Sequence, residues 1–350
     1  MQIKVSQFGL NLAHAWATAA SSAKKSRIVT FVKLTSSDGA FGFGESAPSS
    51  RYGETLETVT AFLAKIDPKQ LSFDDVPGSM AYLDKLSSGD FAAKAAVNIA
   101  LWDGAGKKAR KPIYDLLGLG FTENKHITSY TIGIDAPEII RQKVLEAEQY
   151  PVLKLKVGDK NDRETMAILR SIAPAKTVRI DGNEGWKTKE EALKNIEWFA
   201  QDKNIEFVEQ PMPADSNPKD LAWLKERSPL PLYADESFFA VADVSLCVDC
   251  FHGVNVKLVK TAGISGAYEA LQAAKKAGLK RMIGCMVESS VLIGAGAHLA
   301  ELADHLDIDT NLLITNDPFQ GTTAEKGIIS FAKASEPCGL RVKATPSFVM

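Results

Sequence analysis

Three carboxylates close three successive apolar segments of the chain. Asp181 follows TVRI, Glu209 follows IEFV and Asp235 follows LYA. If these segments are neighbouring parallel strands, their carboxyl ends meet at one mouth and the three acids converge there. Buried carboxylates repel each other unless a cation neutralises them, and all-oxygen ligands favour Mg2+, with Mn2+ as a second option. The alternative is three separate solvated or salt-bridged acids, which their regular placement disfavours.

Lysines stand inside two other apolar segments, where a surface lysine is uncommon. Lys154 and Lys156 are two residues apart in VLKLKVG, so in a strand both point to the same face. Lys257 lies in GVNVKLVK, four strand-like segments further along, and in a barrel of eight strands it faces the first pair. A lysine beside another cation has a lowered pKa and can act as a base, an effect that Lys154 would exert on Lys156.

Two proton-transfer groups on opposite sides of a metal-bound carboxylate suit one type of reaction. The metal would hold a substrate carboxylate and stabilise the enediolate that forms when the neighbouring carbon loses its proton. One lysine would remove this proton and the other would return one. Return to the opposite face gives racemisation or epimerisation, whereas loss of a leaving group gives elimination, or a cycloisomerisation run backward. The residues therefore predict an enzyme, with these outcomes open.

The segments that carry these residues alternate between strand-like and helical patterns. Eight apolar runs begin roughly 21 to 28 residues apart, at residues 127, 152, 177, 205, 232, 253, 281 and 306. Strands that alternate with helices predict parallel βαβ units, and eight such units over about 200 residues predict a closed (β/α)7-8 barrel of the TIM type, in the α/β class. A doubly wound open sheet is the alternative, but no GxGxxG turn occurs in the sequence.

The chain before the barrel has a different pattern. Residues 1–124 open with strand-like segments that suggest an antiparallel meander and continue with helical stretches rich in Ala and Leu, which predicts a separate α+β domain. The barrel is predicted over residues 125–330. Residues 331–350 are predicted to return to this N-terminal domain.

Composition argues against several classes of function. The 350 residues carry a formal net charge of -2, with 45% hydrophobic and 24% charged residues, which offers no electrostatic case for a nucleic-acid or anionic membrane partner. The first residues lack the apolar run of a signal peptide, and no segment approaches the roughly 18 apolar residues of a membrane span. Four cysteines do not make a disulfide framework, and the CxxC of Cys247 and Cys250 has helical periodicity. We therefore expect a cytoplasmic protein.

The motifs resemble those of the enolase superfamily, specifically its muconate lactonizing enzyme subgroup. KLKVG is similar to the subgroup's KxK, RIDGNEGW to its DxNxxW, FVEQP and ADES to metal-binding segments, and NVKLVKTAGI to the segment of a second base lysine. The resemblance covers essentially the whole chain and implies an enolase-like modified barrel with an N-terminal capping domain. By this resemblance, Asp181, Glu209 and Asp235 bind Mg2+. Lys156 and Lys257 are the acid–base pair, and Lys154 tunes the pKa of Lys156.

Two further segments resemble the dipeptide epimerases of this subgroup. DIDTNLL carries Asp307 and Asp309 in a DxD that, in that family, holds the substrate's α-ammonium while the metal takes its C-terminal carboxylate. An anionic pair suits an ammonium group, which a muconate or succinylbenzoate substrate lacks. A helix cap or a solvated loop is the alternative. GCMVESS carries Met286 and Glu288, which we predict to bind substrate together with Asn183 of the DxNxxW motif.

In this family, two loops of the capping domain cover the mouth and set specificity. Here they are predicted at residues 15–25 and 47–55, with Trp16 and Lys24 as candidate substrate contacts. The Ala-Glu epimerases carry an arginine in the first loop, whereas this loop has none and is rich in Ala and Ser.

The resemblance therefore predicts an isomerase, a Mg2+-dependent epimerase of small or hydrophobic dipeptides (Ala-Ala-like) that inverts the carbon next to the C-terminal carboxylate. An L-Ala-D/L-Glu epimerase is the nearer alternative. An o-succinylbenzoate synthase or muconate cycloisomerase-like lyase, and a barrel that binds small molecules without turnover, are the more distant ones. A homo-oligomer is also expected.

Overall fold

The N-terminal part of the chain begins with an antiparallel sheet of three strands. The structure is a computed structural model that describes residues 1–19 and 21–350, apart from the side chains of residues 16 and 21–23. The strands are β1 (Gln2–Thr18), β2 (Ser21–Thr35) and β3 (Phe41–Ser46), with β2 in the middle. This arrangement confirms the predicted meander.

Residues 15–25 differ from the loop that the sequence predicts. Nearly all of them belong to the ends of β1 and β2, where Trp16 pairs with Lys24 and Thr18 pairs with Ser21. The register shifts after Asn11 and again after Trp16. Small and polar residues are typical of a loop. Cross-strand pairing nevertheless places most of the described residues among 15–19 and 21–25 in strands, since context readily overrides strand propensity.

Four helices cover the N-terminal sheet and complete the predicted α+β architecture. They are α1 (Leu56–Leu63), α2 (Val76–Leu86), α3 (Phe91–Ala109) and α4 (Ile113–Leu116). Helix α3 packs directly on β3, because two glycines leave room for its backbone. A Cβ added at Gly42 would lie 2.0 Å from Ala100 O, and one at Gly44 would lie 1.8 Å from Ala96 O.

Eight parallel strands form the second sheet, and each lies beside the next in chain order. They are β4 (Tyr130–Ile132), β5 (Val152–Lys156), β6 (Thr177–Asp181), β7 (Ile205–Glu209), β8 (Leu232–Ala234), β9 (Gly253–Lys257), β10 (Lys280–Gly284) and β11 (His305–Asp307). The sheet nearly closes on itself, because Thr128 forms a parallel bridge with Leu306 of β11 and Ser129 N donates to Leu306 O at 3.1 Å. The predicted TIM-type barrel with an N-terminal capping domain is confirmed.

Helices connect the barrel strands, as the alternating pattern predicts. They are α5 (Pro137–Glu146), α6 (Asp162–Ile172), α7 (Lys189–Phe199), α8 (Pro218–Arg227), α9 (Val244–Cys250), α10 (Ile264–Lys276) and α11 (Ser290–Ala297). The two CxxC thiols lie buried on α9, in the helical conformation that their periodicity predicts. Among the described residues, no helix combines the length and apolarity that crossing a membrane requires.

The last two barrel strands end earlier than their apolar runs. Strand β10 stops at Gly284 and β11 at Asp307, and a short helix, α12 (Thr310–Leu313), follows. Glu288 N donates to the hydroxyl of Thr310 at 3.2 Å, which ties the two loops together where strand pairing has ended. Glu288 therefore lies in a loop rather than at a strand end.

The C-terminal part of the chain runs back towards the N-terminal helices. Two small antiparallel pairs form, β12 (Phe319–Gln320) with β15 (Lys343–Ala344), and β13 (Thr323–Glu325) with β14 (Ile328–Ser330). Leu340 N donates to Asp103 Oδ1 of α3 at 2.8 Å, and Gly339 forms a bridge with Pro112.

The close contact of β3 with α3 predicts that a side chain at Gly44 destabilises the protein. We expect Gly44→Ala to lower the free energy of unfolding by about 1–3 kcal/mol, because the new methyl group overlaps the α3 backbone. Gly9→Ala in β1 is the matched control, since a Cβ there meets nothing within 4 Å. Urea denaturation measures both. Equal stability of the two variants would contradict the packing described here.

Candidate active site

The register of the barrel strands places the chemically active residues in one layer. Lys156 pairs with Asp181, and Asp181 pairs with Glu209, across β5, β6 and β7. On the other side of the barrel, Gly284 of β10 pairs with both Lys257 and Asp307. Because parallel strands in register end together, side chains more than 100 residues apart in the chain open into one cavity of about 710 Å3.

The three predicted carboxylates lie next to this cavity and contact lysines that line it. Asp181, Glu209 and Asp235 are fully buried, and their oxygen atoms lie within 4.8 Å of one another. Burial, followed by the charge of Asp181, raises the pKa of Glu209 to about 7. Such a cluster needs positive charge, which a hard divalent cation bound by oxygen atoms can supply.

The hydrogen bonds around the three acids also fit a cation. Asn255 Nδ2 donates to Glu209 Oε1 at 2.7 Å and fixes the orientation of this carboxylate. Within the part of the chain that the structure describes, the buried atoms Asn183 Oδ1 and Glu236 Oε2 accept no hydrogen bond, whereas Glu209 Oε2 has the Lys154 ammonium group at 2.7 Å. Buried acceptors are nearly always satisfied, so unsatisfied oxygens around one point favour a metal ligand set. Mg2+ therefore fits the residues that are present.

Lys154 lines the cavity and is also surrounded by carboxylates. Its Nζ is 2.6 Å from Asp307 Oδ2, 2.7 Å from Glu209 Oε2 and 3.0 Å from Asp181 Oδ2. Burial disfavours its charged form, but these carboxylates raise the pKa of Lys154 well above its usual value. Lys154 therefore stays an ammonium group that balances the acids.

The two predicted acid–base lysines approach the cavity from different strands. Lys156 Nζ lies 2.6 Å from Asp181 Oδ2, and Lys257 Nζ lies 2.7 Å from Asp235 Oδ2. Burial would lower the pKa of Lys257, but Asp235 raises it well above its usual value. This shift is opposite to the one that a base requires, so a cation that takes over part of the Asp235 charge would favour the free amine.

The two acids of the DxD motif have different surroundings. Asp307 accepts from Ser129 Oγ at 2.7 Å and pairs with Lys154, so it is already compensated. Asp309 accepts from Thr131 N at 2.7 Å, and its other oxygen lies 3.9 Å from the thiol of Cys285. Burial, with the neighbouring charge of Asp307, raises the pKa of Asp309 to about 7. An acid in this position is suited to bind a cationic group from the cavity.

The other predicted contact residues divide into two groups. Asn183, Met286 and Lys24 line the cavity, whereas Glu288 is buried beneath it and accepts from Met286 N at 2.9 Å. The side chain of Trp16 lies outside the described residues, so the structure does not test its predicted contact.

Four residues that the sequence analysis did not identify also reach the site. Arg27, Arg51 and Tyr52 line the cavity, and Lys260 donates to both Asp235 Oδ1 and the Asp235 backbone carbonyl. Lys260 stands three residues after Lys257 in VKLVK, and that helical spacing was the available signal for it. Arg27 lies just beyond the predicted first loop, and its Nη2 donates to the carbonyl oxygens of Ala47 and Pro48.

Family comparisons agree with the fold and the site over both parts of the chain. The family described as mandelate racemase / muconate lactonizing enzyme, N-terminal domain, matches residues 2–118. The family described as enolase C-terminal domain-like matches residues 139–326. The chain belongs to the mandelate racemase/muconate lactonizing enzyme family.

Individual members of this family are similar over nearly the whole chain. An L-Ala-D/L-amino acid epimerase of Pedosphaera parvula is 62% identical over 346 residues, which cover 98% of this chain and 100% of that protein. An L-Ala-D/L-Glu epimerase of Bacteroides thetaiotaomicron is 39% identical over 298 residues, 84% of this chain and 76% of that protein. A solved dipeptide epimerase of Enterococcus faecalis V583, complexed with Mg and L-Leu-L-Tyr, aligns with a TM-score of 0.87 at 30% identity, covering 97% and 98% of the two chains. The resemblance to dipeptide epimerases of the enolase superfamily is confirmed.

The ligand set can be tested by metal binding alone. We expect Glu209→Gln to weaken Mg2+ binding at least about tenfold, because it removes one of three charges from the cluster. Glu206→Gln is the matched control, since Glu206 lies on the same strand but pairs with Arg179 at 2.7 Å. Isothermal titration of the folded proteins measures both affinities. Unchanged Mg2+ affinity in Glu209→Gln would exclude Glu209 as a ligand.

Proposed function

We propose that the protein is a Mg2+-dependent dipeptide epimerase that inverts the carbon next to the C-terminal carboxylate. One observation carries the proposal: Lys156 and Lys257 reach the carboxylate cluster from opposite sides of the barrel, on β5 and β9. When bound, Mg2+ would supply a positive charge for the substrate carboxylate and for the negative charge that develops as the α-proton leaves. Asp181, Glu209 and Asp235 hold the ion, and Mn2+ can replace it because the ligands are all oxygens.

The two lysines exchange roles in the two directions of the reaction. The neutral amine of one lysine takes the α-proton, and the ammonium group of the other gives a proton to the opposite face of the same carbon. One C–H bond is broken and one is formed, so the substrate changes configuration while the lysines exchange protonation states. Lys154 keeps its charge throughout, because three carboxylates surround it.

Asp309 selects the dipeptide by its free amino group. Among the described residues it makes no ion pair, and its raised pKa reflects an anion without a close cation. The ammonium group of the substrate supplies that cation from the cavity. A muconate or succinylbenzoate substrate would leave Asp309 buried and uncompensated, which argues against a lyase.

The side chains of the dipeptide meet the N-terminal part of the protein. The similar protein of Pedosphaera parvula is named for L-Ala followed by varied amino acids, which supports a dipeptide with a small first residue. The expectation of small or hydrophobic second residues comes from the Ala- and Ser-rich segment 15–25. An L-Ala-D/L-Glu substrate is the second candidate, since Lys24 and Arg27 place positive charge on the cavity wall. The homo-oligomer, the cytoplasmic location and the domain boundaries at residues 124 and 330 stay predictions.

The two-base mechanism predicts a specific loss in each lysine variant. We expect Lys156→Ala and Lys257→Ala each to lower epimerisation of L-Ala-L-Ala at least about a thousandfold, because one of the two proton carriers is absent. In D2O, each variant should still exchange the α-proton of the one epimer that faces its remaining lysine. Lys160→Ala, at an exposed position after β5, is the control. Full inversion by either active-site variant, followed by NMR, would refute the mechanism.

The role of Asp309 predicts how the enzyme treats a blocked amino group. We expect the wild-type kcat/KM for L-Ala-L-Ala to exceed that for its N-acetyl derivative by about 10- to 100-fold, as for a lost charge-assisted hydrogen bond. Asp309→Asn should reduce this ratio to within about threefold of unity. Asp304→Asn, which changes an acid paired with Arg281 at the other end of β11, should preserve it. A preserved ratio in Asp309→Asn would place the ammonium group elsewhere.

A further inference from the structure

We propose that Arg51 and Glu184 form a clasp that holds capping segment 47–55 on the barrel and so places Tyr52 on the cavity wall beside Lys257. Both are positioning residues: they act on the substrate through the segment that they fix. The proposal rests on the proposed function for its kinetic consequences, while the clasp itself can be tested without a substrate.

The ion pair has the geometry of a specific contact rather than a chance surface one. Arg51 Nε donates to Glu184 Oε2 at 2.7 Å, and Arg51 Nη2 donates to Glu184 Oε1 at 2.6 Å. The Glu184 carboxylate is only 9% exposed and also accepts from Ala214 N at 2.8 Å. A planar two-point contact of this kind fixes orientation as well as distance. It joins residues 133 positions apart in the chain, one in the N-terminal part and one in the loop after β6.

The backbone at Glu184 adopts a strained conformation at the position of this contact. Asn183 and Glu184 have φ values of 41° and 64°, so two successive residues with side chains adopt the left-handed region. Such conformations are strained for residues that carry a side chain and persist where the surrounding structure requires them. Glu184 N donates to Gln210 O at 2.9 Å, and Lys187 Nζ donates to Glu184 O at 2.7 Å, which hold the loop in this conformation. The same loop begins at the metal ligand Asp181, so the clasp is anchored next to the carboxylate cluster.

Residues before and after Tyr52 in the sequence hold it in place. Arg51 holds it to the barrel, and Glu54 accepts from Ala92 N at 3.0 Å at the start of α3. The Tyr52 ring packs edge-on against Phe239, with centroids 4.8 Å apart, and lies 5.7 Å from Lys260 Nζ. Burial, followed by the charge of Asp235, raises the pKa of Tyr52, and Lys257 partly offsets this. Tyr52 therefore closes the side of the cavity on which Lys257 works.

Charge reversal separates a clasp from a residue that merely fills space. We compare Arg51→Glu, Glu184→Arg and the double variant with the wild type, each checked for folding by circular dichroism. We expect each single reversal to raise KM for L-Ala-L-Ala about tenfold or more, with kcat within about threefold, because like charges now repel the segment from the barrel. The double variant restores the attraction with opposite polarity and should return KM to within about threefold of the wild type.

Hydrogen exchange of segment 47–55 gives a readout that needs no substrate. The amides of Tyr52, Gly53 and Glu54 are hydrogen-bonded within the segment, so their exchange reports how well the segment is ordered. They should exchange faster in both single variants and return to the wild-type rate in the double variant. The control is charge reversal of the ion pair between Lys189 of α7 and Asp220 of α8. Lys189→Glu, Asp220→Lys and their double variant should change neither KM nor the hydrogen-exchange rates of segment 47–55.

Each result decides the proposal. Unchanged exchange in the single variants, or no recovery in the double variant, would overturn the clasp. Faster exchange with unchanged KM would overturn its role in positioning Tyr52 for the substrate. If the wild type does not turn over any dipeptide, the proposed function fails, and the exchange experiment still decides whether the clasp exists.

Discussion

The crowding of buried charge at one end of the barrel is the constraint on which the rest of the structure depends. Parallel strands in register bring their carboxyl ends to one level. Five of the eight barrel strands end in an ionisable residue, and Asp235 directly follows a sixth. Among the described residues, six buried carboxylates face four buried lysines in this layer. The acids are Asp181, Glu209, Asp235, Glu236, Asp307 and Asp309, and the lysines are Lys154, Lys156, Lys257 and Lys260. Carboxylates therefore outnumber ammonium groups in this layer, and a divalent cation bound there would offset the excess of negative charge.

The uneven distribution of this excess negative charge explains why Asp307 and Asp309 have different roles. Asp307 has Lys154 within 2.6 Å, and the charge of this lysine, working against burial, holds the pKa of Asp307 near 2. Asp309, two residues later, lacks such a partner, and burial raises its pKa to about 7. A cationic substrate group can therefore bind at one acid and not at the other. The same electrostatic balance keeps Lys154 charged, so it stabilises the site rather than taking part in proton transfer.

Much of the site can be predicted from the sequence, because it depends on periodicity and on strand ends. The eight runs give the barrel, and the barrel brings Asp181, Glu209 and Asp235 together. Alternation along VLKLKVG places Lys154 and Lys156 on one face. The lysines' ion pairs could not be predicted, because they depend on distances between side chains of different strands. The contact of Arg51 with Glu184 spans 133 residues and requires a left-handed backbone at a non-glycine position, for which the sequence carries no local signal. The hairpin at residues 15–25 was predicted as a loop, because cross-strand pairing and not composition decides its structure.

A crystal structure with Mg2+ and a bound dipeptide tests the central claim most directly. The account predicts that the Nζ atoms of Lys156 and Lys257 lie on opposite faces of the α-carbon next to the C-terminal carboxylate, each within about 3.5 Å. It also predicts that the carboxylate binds the ion held by Asp181, Glu209 and Asp235, and that the ammonium group contacts Asp309. Both lysines on one face of that carbon, or a substrate carboxylate away from the three acids, would contradict it.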